Sequence, residues 1–124
     1  MPRPPRPTDV ELSLLRVLWR LGPATVKQVH QVLSNDRELS YTGVLRMLQV
    51  MFEKGLVVRN ESERSHVYAP AHPKDAMREG LVADLMDRAF SGSAKDLVLA
   101  ALQSGRVSET ERAEIQALFG GSKK

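Results

Sequence analysis

Ser40-Tyr41-Thr42-Gly43-Val44-Leu45-Arg46-Met47-Leu48-Gln49-Val50-Met51-Phe52-Glu53-Lys54-Gly55 is the stretch on which the fold turns. Ser40 is a helix-capping residue type and Gly55 a helix-ending one, so the segment between them reads as a helix. Val44, Leu48, Met51 and Phe52, flanked by Leu45 and Met47, recur at helical spacing and form a candidate core stripe. At about 100° per residue, Thr42, Arg46, Gln49 and Glu53 point the opposite way. An apolar side faces inward, and the outward side begins with groups that can touch nucleic acid.

Toward the N-terminus, Thr25 with Gln28 opens a capping box ahead of Val26, Val29, Val32 and Leu33, and the polar stretch Ser34 to Glu38 ends that second helix. Before it, Thr8 with Glu11 opens another box ahead of Val10, Leu14, Leu15, Leu18 and Leu21, stopped by Gly22-Pro23. Residues 1–7 contain four prolines and two arginines and are expected to form a flexible arm, because proline lacks a backbone donor and turns its predecessor away from helix.

Beyond Gly55 the period changes. Leu56-Val57-Val58-Arg59 and His66-Val67-Tyr68-Ala69 are rich in β-branched and aromatic residues and flank the polar stretch Asn60 to Ser65, which predicts a β-hairpin with a charged tip. Two strands are marginal in water, so the hairpin must lie against the helices. Pro70 to Pro73 reads as a hinge. After it, Met77, Leu81, Leu85 and Ala89 recur every four residues, widened by Val82, Met86 and Phe90, up to Ser91-Gly92. Ser93 with Asp96 starts a helix through Leu97, Val98 and Leu102, and Ser108 with Glu111 starts a last one through Ile115 and Leu118.

The fold class is therefore mainly α with a small β-hairpin: an arm at 1–7, a helical and hairpin domain at 8–70, and a helical region at 71–124. About fifty residues of amphipathic helix bury too little surface to be stable alone, and a second copy is the commonest partner. The expected dimerisation residues are Met77, Leu81, Leu85, Phe90, Leu97, Val98, Leu102, Ile115 and Leu118.

Composition excludes several classes. The 124 residues include no cysteine, which removes disulfides, thiolate metal sites and thiol catalysis. No apolar run approaches the ~20 residues needed to span a bilayer, and the first residues lack the apolar stretch of a signal peptide, so a cytoplasmic protein without membrane insertion is expected. His30, His66 and His72 fall on three different elements, and no nucleotide-binding or hydrolase motif is present, so neither an enzyme nor a metal or other cofactor is expected. The net charge is +3, and the excess is local. Residues 1–70 carry ten Lys/Arg against seven Asp/Glu, whereas 71–124 carry eight of each.

Three helices followed by a hairpin, with the basic excess confined to them, is the layout of a winged helix-turn-helix, whose third helix enters the major groove of double-stranded DNA. Arg46 suits guanine O6 and N7, Gln49 suits adenine, and Tyr41 and Thr42 can reach phosphate or a thymine methyl. Gly43 costs about 1 kcal/mol inside a helix unless something must approach closely, and DNA is one candidate. Lys27 on the second helix and Arg59, Arg64 and His66 on the hairpin complete the candidate DNA-binding set, with Glu61 and Glu63 opposing phosphate at the tip. A winged-helix protein-interaction module without specific DNA binding is the alternative.

These residues resemble the BlaI/MecI-type penicillinase repressor family. The similarity runs from Thr8 to about Leu118. It rests on Pro7-Thr8 ahead of Glu11, Leu18-Trp19, Val29-His30 and Leu33, Tyr41-Thr42, Val44-Leu45 and Met47-Leu48-Gln49. Glu53 to Val57, Val67-Tyr68, Phe90 to Ser93 and Leu97-Val98 complete it. The resemblance implies a transcriptional repressor that binds a palindromic operator as a homodimer, held together by its C-terminal helices. It also implies relief by proteolysis under a membrane-bound sensor metalloprotease, and the family's cleavage position falls near Ala100-Ala101. Gly43, Arg46 and Val50 depart from the residues usual in the family.

Overall fold

Thr8 and Glu11 close on each other as their spacing predicts. In the computed structural model, which describes residues 4–33 and 39–121, they start α1 (Asp9–Leu21). The Thr8 hydroxyl accepts from the Glu11 N–H at 3.2 Å, and the Glu11 carboxylate accepts from the Thr8 N–H at 2.9 Å. The second box also forms: Thr25 accepts from the Gln28 N–H at 3.2 Å, and its own N–H donates to Gln28 Oε1 at 2.9 Å. It opens α2 (Val26–Leu33). The polar stretch expected to end that helix, 34–38, lies outside the described residues.

Ser40 caps α3 (Tyr41–Lys54), its hydroxyl accepting from the Gly43 N–H at 2.9 Å. At the other end Gly55 adopts φ 84°, a left-handed turn that a side chain would strain. Its N–H bonds to the Phe52 carbonyl at 3.2 Å, and the Leu56 N–H reaches back to the Met51 carbonyl at 2.9 Å. Leu56 and Met51 are both fully buried, so the turn that satisfies the last carbonyls also folds the chain onto the core.

The hairpin consists of β2 (Val57–Asn60) and β3 (Val67–Pro70), paired antiparallel with Val58 opposite Ala69 and Arg59 opposite Tyr68. A third strand, β1 (Ala24–Thr25), adds to the free edge of β3, with Ala24 opposite Tyr68. Two residues are too few to show a period, and Thr25 announces itself only as a helix cap. The strand exists because β3 presents an edge that needs a partner.

The chain divides into two compact units, 1–81 and 82–124. In the first, Leu14, Leu15 and Leu18 of α1, Val29 of α2, Val44, Leu48 and Met51 of α3, and Tyr68 of β3 are at most 1% exposed. The unit extends past the hinge that the sequence suggests at residues 70–73. The Ala71 N–H donates to the Leu56 carbonyl at 3.0 Å, His72 Nε2 lies 3.2 Å from the Gly55 carbonyl, and α4 (Lys74–Ala89) begins with Met77 buried in the same core. Prolines interrupt regular structure there without interrupting the packing. The arm at 1–7, expected to be flexible, is half-buried at Pro4, Pro5 and Pro7. A Cβ on Gly80 would lie 3.5 Å from Pro4 Cδ, so proline rings fill space that the glycine leaves open.

The second unit holds the end of α4, α5 (Ala94–Gln103) and α6 (Glu109–Gly121). Ser93 and Ser108 cap α5 and α6, each accepting at 3.0 Å from the N–H three residues on. Arg112 donates to the Leu102 carbonyl at 3.1 Å, joining the two helices. No described residue from 82 to 119 is buried.

Among the described residues one charge is buried in the first unit. Glu11 is 2% exposed and accepts from Lys54 Nζ at 2.7 and 2.9 Å through its two oxygens. Burial works against its charge. The Lys54 ammonium and the Thr8 N–H outweigh that penalty and hold the carboxyl below its ordinary value of 4.5. Such a group stabilises the fold fully above the unfolded-state value, and that contribution is lost as pH falls through the depressed folded value. Glu11→Gln, which keeps the shape and removes the charge, should cost about 1–3 kcal/mol in urea unfolding at neutral pH. The difference from wild type should shrink as pH falls below 4.5 and close past the depressed folded value, where the wild-type carboxylate is also neutralised.

Candidate nucleic-acid interface

The α3 stripe of Val44, Leu48 and Met51 has no exposed surface, and this fixes the rotation of the helix about its axis. Thr42, Arg46, Gln49 and Glu53 consequently face solvent. Among the described residues Arg46 and Gln49 make no hydrogen bond or ion pair with another side chain, which leaves five guanidinium donors and one amide free for an incoming partner. Tyr41, 49% exposed, stands at the first turn with its ring edge-on to His30 at 6.0 Å. Lys27 is exposed on α2.

Gly43 has a local explanation. A Cβ there would sit 3.2 Å from the Ser40 hydroxyl, so the glycine gives the capping serine room to close. Close approach of DNA is not needed to account for it.

The hairpin side chains divide. Arg59 is tied to its own domain: its guanidinium lies 4.1 Å from the centre of the Phe52 ring, and its Nε donates to Glu61 Oε2 at 2.6 Å. The Tyr68 hydroxyl and then the Glu61 carboxylate also raise its pKa, so it stays charged. Phe52 was expected in the core stripe, and instead lies 37% exposed as the platform for Arg59. This stacking joins the end of α3 to the hairpin. Glu61, expected to repel phosphate, has its charge paired with Arg59. At the tip, Asn60 Oδ1 accepts from the Ser62 N–H at 2.9 Å, and Arg64 is exposed. His66 is half-buried. The arrangement presents Arg46 and Gln49 from a rigid helix and Arg64 from a turn braced by Arg59.

Among the expected dimerisation residues, Met77 is 3% exposed in the core of the first unit and Leu81 packs against that core, so both serve that fold. Leu85, Val98 and Leu118 are 46%, 42% and 73% exposed, and Phe90, Leu97, Leu102 and Ile115 are half-buried. Ala100 and Ala101 are exposed on α5. No cluster of three or more potential metal ligands occurs among the described residues. No described helix is long and apolar enough to cross a membrane. Sequence reading missed the Glu11–Lys54 pair and the Phe52 platform, because each joins residues whose spacing along the chain carries no signal.

Residues 7–120 match the penicillinase repressor family. The transcriptional regulator BlaI of Mycobacterium tuberculosis is 38% identical over 92 residues, covering 73% of this chain and 67% of its own. The penicillinase repressor of Bacillus licheniformis is 24% identical over 119 residues, covering 96% and 93%. Among solved structures, the monomeric form of B. licheniformis BlaI in complex with the blaP half-operator superposes with a TM-score of 0.54 at 25% identity, over 61% of this chain and 93% of that one. The DNA-binding domain of the repressor BlaI gives 0.53 with the same identity and coverage. With a match over nearly its whole length, the chain belongs to the penicillinase repressor family, a family of transcriptional repressors and not of enzymes.

Proposed function

We propose that this protein is a cytoplasmic, sequence-specific DNA-binding transcriptional repressor that acts as a homodimer on a palindromic operator, with α3 in the major groove. The observation that carries this reading is the free outward face of Thr42, Arg46 and Gln49, held opposite a stripe with no exposed surface. It is supported by the structural likeness to a BlaI that was solved on half-operator DNA. Arg46 reads a base, Gln49 an adjacent one, and Tyr41, Thr42, Lys27 and Arg64 position the phosphate backbone. Arg59 acts from behind, bracing the hairpin. The two half-sites lie about one or two DNA turns apart, as two-fold symmetry requires.

The dimer contact belongs to the second unit, where Leu85, Val98 and Leu118 stay exposed in the single chain. Residues 82–119, without one buried side chain, gain their stability from a partner. Relief by a membrane-bound sensor metalloprotease, cutting near Ala100-Ala101, fits the same logic. Loss of the dimer forfeits the second half-site.

Titration of operator DNA across a salt series should give a steep negative slope of log affinity against log salt, reporting several neutralised phosphates. A flat response overturns the reading in favour of a protein-interaction module. Arg46→Ala should cost about 1–3 kcal/mol and relax preference at one base pair, and a uniform loss across all sequences would assign Arg46 to phosphate. Val98→Glu with Leu118→Glu should leave a monomer by sedimentation with its first unit folded, and operator affinity lower by about 10² to 10⁴. A variant that still pairs places the contact elsewhere.

A further inference from the structure

A groove of about 960 Å³ runs between α1 and the start of α4 within the first unit. Arg16 and Arg20 stand on one wall and Lys74 and Arg78 on the other, each pair four residues apart on its helix. All four are exposed, and among the described residues none is in an ion pair or hydrogen bond. The floor is apolar, from Val17, Trp19, Leu33 and Leu81, and among the described residues no carboxylate lines it. Like charges four apart on a helix repel, so each wall costs stability for as long as nothing neutralises it. None of these residues belongs to the outward face of α3.

We propose that this groove binds a small amphipathic anion: an alkyl or aromatic body that covers the apolar floor and a carboxylate or phosphate that bridges the two cationic walls. Charge complementarity selects the head, since Arg16 of α1 and Arg78 of α4, which line the same groove, offer forked donors that match a planar or tetrahedral oxyanion. The floor selects the body, because an inorganic ion leaves the half-buried Trp19 and Leu81 against water. The site is independent of DNA reading and stands or falls without it.

Trp19 is the only tryptophan of the chain and lines the groove, so its fluorescence reports occupancy directly in the full-length protein without DNA. Octanoate should change the emission saturably, at least about tenfold more tightly than octanol or inorganic phosphate alone, as a charge-assisted contact added to apolar burial requires. Arg16→Gln with Arg78→Gln should weaken octanoate by about tenfold or more while leaving thermal unfolding unchanged or improved, since like-charge repulsion is relieved. Equal binding of octanol overturns the proposal. So does a response confined to phosphatidylglycerol vesicles, which would make the groove a membrane contact. A loss of DNA affinity in the double variant without octanoate, matched by no loss of octanoate binding, would make it a phosphate-backbone contact and equally overturn it.

Discussion

A helix with one face sealed has no freedom in where its other face points. Val44, Leu48 and Met51 have no solvent contact, and that condition, more than any property of the exposed residues, sets Thr42, Arg46 and Gln49 toward an external partner. Turning the helix by one residue would drive Arg46 toward the core at a cost no local contact could offset. The remaining features hold this helix in place. Ser40 and Gly55 fix where it starts and stops. The Glu11–Lys54 pair ties its last turn to the first turn of α1, 43 residues away in sequence. Phe52 under Arg59 ties the same end to the hairpin.

These ties differ in energetic character. Apolar burial supplies most of the stability, roughly 1.5–3 kcal/mol for each large side chain withdrawn from water. The Glu11–Lys54 pair adds less, because the lysine side chain is 37% exposed and can return to solvent when its partner is removed. What the pair adds is direction. A carboxylate with its oxygens on a backbone N–H and an ammonium accepts few other placements of the two helices. The base reading proposed for α3 needs that rigidity more than it needs further stability, since base-edge hydrogen bonds tolerate little displacement.

The two units have opposite relations to water. The first seals a continuous apolar core inside, from Leu14 down to Met77 beyond the proline-rich turn. The second leaves Leu85, Val98 and Leu118 substantially exposed. The proposed pairing rests on this exposed apolar surface, and the serine caps at Ser93 and Ser108 show that each helix carrying it is locally well specified. Coupling of DNA affinity to assembly follows if the second unit pairs, since any event that separates two copies also separates two reading heads.

Local chemistry alone determined the helices of this protein: serine and threonine caps, glycine stops and apolar periods are short-range signals, and the caps at Thr8, Thr25, Ser40, Ser93 and Ser108 and the stops at Gly22 and Gly55 form where their spacing says. The outward face of α3 was legible for the same reason, since one helical period fixes two faces at once. Tertiary structure decided the rest. Strand β1 is two residues that pair only because β3 offers an edge. Phe52 leaves the core because Arg59 arrives from another element, and Glu11 serves a lysine as well as its own cap. Met77 and Leu81 belong to the first unit because packing, unlike secondary structure, passes through a proline-rich turn. Each of these depends on which distant residues meet in space, and no pattern within a dozen neighbouring residues records that.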